Sequence, residues 1–154
     1  MRSVTAQADE YDYRMHHKAP GPDSGFPFHD MTGNYEIGGV PEDWYTHPQH
    51  YTRGEVSSGE VRKVQKAYQQ AHGNPEHPVD IYRALPPGQD HINTGDWVTP
   101  SLEYARGHAQ SEGSGDWPVI HMTAPAKHLW QNGDSYFEMG YHGPPSQAKT
   151  AGRR

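Results

Sequence analysis

"VDIYRALPPG", residues 79–88, reads as a β-strand that carries one arginine on its apolar face. Val79, Ile81, Arg83 and Leu85 recur at period two, and alternate residues of a strand share a face. Three of these positions call for a core. The fourth bears a permanent charge. What Arg83 meets there bears on both the fold and the function.

Signals on either side of this strand give the rest of the domain. Upstream, Ser57 with Glu60 three residues on makes a capping box. Val61, Val64, Tyr68 and Ala71 form a narrow apolar stripe, and Gly73 is a stop, so one helix precedes the strand. Downstream, "GDWVT" (95–99) reads as a short second strand. "TPSLEYARGHA" opens a helix over 100–109, with Thr99 as N-cap and Pro100 at the first helical position. "WPVIHMTA" (117–124) is a third strand and "SYFEMGYH" (135–142) a fourth. Residues 1–54 are rich in Pro, Gly, His and Tyr and show no period. They are expected to be irregular and to wrap over the core through Phe26, Phe28, Trp44 and Tyr45. The chain thus divides into a polar and aromatic leader (1–54), a compact domain (55–145) and a flexible basic tail (146–154) holding Lys149, Arg153 and Arg154. The fold class is α+β, with a mixed, split sheet of about five to six strands.

Composition narrows the function. The chain has 154 residues, 32% of them hydrophobic, with a mean hydropathy of -1.05. That supply of apolar residues builds one modest core. There is no cysteine, which excludes disulfides and thiolate chemistry. No apolar run approaches the length of a membrane span, and no signal-peptide core is visible. The expectation is a soluble, cytoplasmic protein. A formal charge of -6 argues against broad electrostatic binding to nucleic acid.

The 12 histidines suggest a metal. However, His16 and His17 are adjacent, "HPQH" (47–50) holds a proline in a loop, and no acidic or histidine motif completes a site. No metal is assigned. The glycines form neither a phosphate loop nor a dinucleotide fingerprint, and Ser24 lies on no nucleophile elbow.

What is left is an ordered set. Arg83 lies on the first strand, Thr99 and Ser101 at a strand-to-helix junction, and Glu138 in the last strand, flanked by Tyr136, Phe137 and Tyr141. Taken singly, each has an ordinary explanation: a salt bridge, a cap, a solvated carboxylate. Together, "IYRALP…GDWVTPSLEYA…VIHMTAPA…SYFEMGY" resembles the arginine–serine–glutamate pattern of the ADP-ribosyltransferase superfamily, and its small phage-type members in particular. The resemblance covers residues 79–143.

The resemblance implies an ADP-ribosyltransferase-like split sheet and a mono-ADP-ribosyltransferase that cleaves the nicotinamide–ribose bond of NAD. Glu138 would be the catalytic carboxylate, bonding the 2′-hydroxyl and facing an oxocarbenium-like ribose. Arg83 would hold the pyrophosphate, and Ala84 the nicotinamide amide through its backbone. Thr99 and Ser101 would brace the glutamate. Tyr104 and Trp97 would stack on the nicotinamide ring. Gly140, on the face of Glu138, would leave room for ligand. Two departures stand out. The Ser-Thr-Ser element of the family is Thr99-Pro100-Ser101 here. Tyr136, counted with the NAD-contacting residues, stands where arginine-modifying members carry Glu or Gln. The acceptor is therefore left open, a protein ahead of a nucleic acid, in a host cytoplasm if the chain is of phage type. The alternatives are an NAD glycohydrolase and a non-catalytic structural or interaction module in which Arg83 and Glu138 form an ion pair. The oligomeric state is left open.

Overall fold

The computed structural model describes residues 18–33, 39–113 and 117–151. His16, His17, Arg153 and Arg154 lie outside the described residues. The leader supplies strand β1 (Phe26–Pro27) and the one-turn helix α1 (Asp43–Thr46). Helix α2 (Ser58–Ala71) follows, then β2 (Pro78–Ala84), β3 (His91–Ile92), β4 (Trp97–Val98), helix α3 (Leu102–Gly113), β5 (Val119–Pro125), β6 (Leu129–Gln131), β7 (Met139–Tyr141), β8 (Ser146–Gln147) and β9 (Lys149–Thr150).

Helix α2 forms where its stripe predicts. Ser57 is the N-cap, and its side chain accepts from the Glu60 N–H. Val64, Tyr68 and Ala71 are buried. The chain leaves the helix through Gly73 at φ +80, a conformation that only glycine adopts cheaply.

The strands form a four-stranded sheet in the order β1-β6-β7-β4, a three-stranded sheet β2-β5-β9, and the pair β3-β8. The two larger sheets meet edge to edge at one bridge, Tyr82 to Thr99. The class is α+β, and the sheet is split. It is not mixed: every described strand pairing is antiparallel. The reason lies in α3. It connects β4 to β5, which fall in different sheets, so it never serves as the crossover that parallel neighbours require.

The leader is part of the core. Phe26, Phe28, Met31, Trp44 and Tyr45 are buried in one cluster with Val64, Tyr68, Ile81, Leu129, Tyr136 and Met139. Phe28 stacks on Tyr68 at 4.3 Å, and Trp44 lies 4.7 Å from Tyr136. Burying one large apolar side chain contributes about 1.5–3 kcal/mol, so these aromatics supply much of what a chain with few apolar residues has available. The far end of the chain is also built in. Residues 146–150, expected as flexible tail, form β8 against β3 and β9 against β5. Ala148 between them is buried and donates its N–H to the Asp90 carbonyl at 2.7 Å. Among the described residues no helix is long and apolar enough to cross a membrane.

Candidate active site

The predicted face of β2 turns inward: Val79, Ile81 and Leu85 are buried and the Arg83 side chain is 18% exposed, while on the opposite face Ala84 is buried as well, with Ala105 and Ala109 of α3. The arginine meets the turn before β4. Its Nη1 donates to the Trp97 carbonyl at 2.6 Å, and its Nε lies 3.8 Å from Asp96 Oδ2. Asp96 is 3% exposed and also accepts from the Asn93 N–H at 2.8 Å. A charge taken this far from water needs a countercharge and hydrogen bonds. Asp96 is the residue that sequence reasoning missed. Its place before "WV" reads as a turn former, and only its distance from Arg83 in space reveals the pair.

Ala84 is placed by strand geometry. Tyr82 uses its N–H and C=O on Thr99, at 2.8 and 3.0 Å. Two residues on, Ala84 turns its own backbone groups to the same edge of β2. That edge lies beyond the single bridge, toward Trp97. On the far side of β4, Val98 pairs with Met139. Arg83 and Glu138, the neighbours of Tyr82 and Met139, therefore stand two strands apart with β4 between them.

Helix α3 starts two residues later than its sequence suggests. Thr99 is taken by the bridge to Tyr82, and Ser101 is the cap. Ser101 Oγ accepts from the Tyr104 N–H at 3.0 Å, while Thr99 Oγ1 accepts from the Ser101 N–H at 3.1 Å. Neither hydroxyl bonds Glu138 directly. Ser101 Oγ donates to Glu60 Oε2 at 2.7 Å. The capping box read at Ser57 is only half local for the same reason: Ser57 N–H and Oγ donate to Glu103, at 2.7 and 2.9 Å.

Glu138 lies just before β7, at the end of the turn through Tyr136 and Phe137, rather than within a strand. The turn breaks the ladder because Tyr136 and Phe137 are drawn wholly into the core. The half-buried Glu138 accepts a hydrogen bond from the Tyr104 hydroxyl. The Tyr104 ring stacks on Phe137 at 5.3 Å. Tyr104 also lines an open cleft of about 220 Å³ with Glu55, Gly107 and His108. That is below the roughly 300–1,000 Å³ usual for ligand sites and would hold only a fragment of a dinucleotide.

Three expected contacts are not available in this arrangement. Gly140 offers no room for ligand, because a β-carbon there would stand 1.9 Å from the Pro20 carbonyl oxygen. Across the sheet Gly140 is flanked by Trp97 and Trp130, and the leader lies over it. Tyr136 is fully buried, its hydroxyl donates to the Trp44 carbonyl at 2.8 Å, and burial pushes its phenol up. It is a core residue. The Arg83–Glu138 ion pair of the non-catalytic alternative is replaced by Arg83 with Asp96 and Glu138 with Tyr104. Trp97 is half-buried at the sheet junction.

No family model, curated protein or solved structure matches the chain.

Proposed function

We propose that the protein is a mono-ADP-ribosyltransferase, with NAD as co-substrate and Glu138 as the catalytic carboxylate. One observation carries this reading. The junction of the two sheets brings the Ala84 backbone edge and Arg83 to one side of β4, and the half-buried Glu138, bonded to Tyr104, to the other. Nicotinamide leaves as a neutral group, so cleavage needs no acid. A single carboxylate facing the developing ribose cation suffices. Ala84 would hold the nicotinamide amide. Tyr104 and Trp97 are the aromatic surfaces at hand. Arg83 would contact the pyrophosphate only with Asp96 beside it, which weakens its pull on a dianion. The protein acts on a macromolecule in the cytoplasm, protein ahead of nucleic acid.

Two observations favour other readings. Tyr136 is sealed in the core, so the position that engages an arginine acceptor offers nothing to one. This favours a different acceptor or water, the latter making an NAD glycohydrolase. The Arg83–Asp96 pair and the filled space at Gly140 favour a non-catalytic interaction module.

Incubating the full chain with NAD, with and without cell extract, separates the three. A transferase releases nicotinamide and labels a macromolecule. A glycohydrolase releases nicotinamide with free ADP-ribose and labels no macromolecule. Glu138→Gln should keep its melting temperature while turnover falls by about two to three orders of magnitude. Unchanged NAD with the wild-type chain leaves the interaction module.

A further inference from the structure

We infer that Glu60, on helix α2, is a positioning residue that acts through Ser101 and Tyr104 on Glu138. Its effect on turnover rests on the transferase reading above.

Helices α2 and α3 begin side by side and exchange caps. In a local capping box the Glu60 carboxylate would turn back onto the Ser57 N–H. Glu103 of α3 takes that N–H and the Ser57 hydroxyl, at 2.7 and 2.9 Å. Glu60 is thereby released to cross to α3. Its Oε2 accepts from Ser101 Oγ at 2.7 Å and from the Glu103 N–H at 3.3 Å.

The two links are mirror images in pattern but not in setting. Ser57 and Glu103 are exposed. The Glu60 side chain is 13% exposed and Ser101 is fully buried. Only the Glu60 link leads onward. Ser101 Oγ, fixed as a donor to Glu60, accepts from the Tyr104 N–H at 3.0 Å, and the Tyr104 hydroxyl donates to Glu138. A carboxylate that accepts two hydrogen bonds at the start of α3 also suits the positive end of the helix. It sets the rotation of the turn that carries Tyr104. A small rotation there would withdraw the phenol from Glu138, and a reacting carboxylate tolerates little misplacement.

The test reads Tyr104 directly, by NMR of the full chain labelled with ¹³C on the tyrosine rings. Tyr104→Phe assigns the signal, and Glu138→Gln gives its position once the carboxylate acceptor is gone. Glu60→Ala should move the Tyr104 signal toward the Glu138→Gln position. Glu60→Gln should restore most of it, because the amide oxygen still accepts from Ser101. Ser57→Ala, which removes the hydroxyl bond of the mirror link, should leave it in place. NAD turnover, measured where all variants are folded, should fall about tenfold or more in Glu60→Ala at unchanged KM, as for other residues that orient a reacting group. An unmoved signal in Glu60→Ala, or an equal shift in Ser57→Ala, overturns the assignment. If Glu60→Ala does not fold, Glu60→Asp, which keeps the charge but shortens its reach, must move the signal. If the wild-type chain consumes no NAD, the transferase reading falls and the Tyr104 signal alone decides the role of Glu60.

Discussion

The carbonyl oxygen of Pro20 lies 1.9 Å from where a β-carbon would stand at Gly140. The glycine is there so that the leader's backbone can cross the sheet between Trp97 and Trp130. Gly140→Ala should therefore destabilise the fold by about 1–3 kcal/mol, the usual cost of forcing a methyl group into filled space. The urea midpoint reads this. A variant as stable as wild type would show that the leader yields easily, and that the face over Gly140 is open to ligand.

Arg83 and Asp96 should be coupled. Removing either takes the countercharge from the other, so the costs of the two single variants should not add in the double. A cycle of Arg83→Ala, Asp96→Asn and the double variant should return about 0.5–3 kcal/mol of interaction. If Arg83 also holds the NAD pyrophosphate, Arg83→Ala should raise KM more than it lowers kcat, since that contact is made before and during the reaction. Arg83→Lys should recover only part of it. Coupling without any change in KM would make the arginine structural.

Cutting away the leader should unfold the domain. A chain beginning at Gly54 lacks Phe26, Phe28, Met31, Trp44 and Tyr45, all buried against the rest of the core. It also lacks β1, the partner of β6. Such a chain should lose its cooperative melt and its near-ultraviolet dichroism together. A cooperative transition near that of the full chain would show that residues 55–151 hold a core of their own. A single change, Trp44→Ala, should cost about 3–5 kcal/mol by leaving a cavity between Tyr68 and Tyr136.

The parts of this fold legible in the sequence are the local ones. Ser57, the Val64–Tyr68–Ala71 stripe and Gly73 mark α2 because cap, period and stop lie within one helix. The alternation from Val79 to Leu85 marks β2 for the same reason. What escaped reading is short or distant. Strands β1, β3, β8 and β9 are two residues long and carry no period. Asp96 is matched to Arg83, and Glu60 to Ser101, across loops that no local pattern spans. Tyr136 and Glu138 are two residues apart, and a strand would place them on one face. The turn at Tyr136–Phe137 sends one into the core and leaves the other beside Tyr104, because two adjacent aromatic rings gain more from burial than from the ladder.

Mild acid should weaken the fold through two partly buried histidines. Burial lowers the pKa of both His29 and His142 below 6.5. Nearby Asp30 opposes this at His29, and a hydrogen bond that the His142 ring donates to the Pro20 carbonyl opposes it at His142. Each folded histidine thus binds a proton less readily than its unfolded form. Between the depressed folded value and 6.5 the unfolded chain holds more protons, so stability rises with pH across that window. It is fully present above 6.5 and is lost as the pH falls through the folded values. Asp43 acts in a second, lower window. Hydrogen bonds from Tyr51 and His50 hold its carboxyl below 3.8, so its contribution is present above that value and lost beneath it. The urea midpoint should therefore fall from pH 7.5 to pH 5.5 and again below pH 4. His142→Gln should flatten the first step and leave the second. A midpoint that is level between pH 7.5 and pH 5.5, or a His142→Gln variant with the full wild-type slope, would mean that burial does not lower the proton affinity of these two histidines.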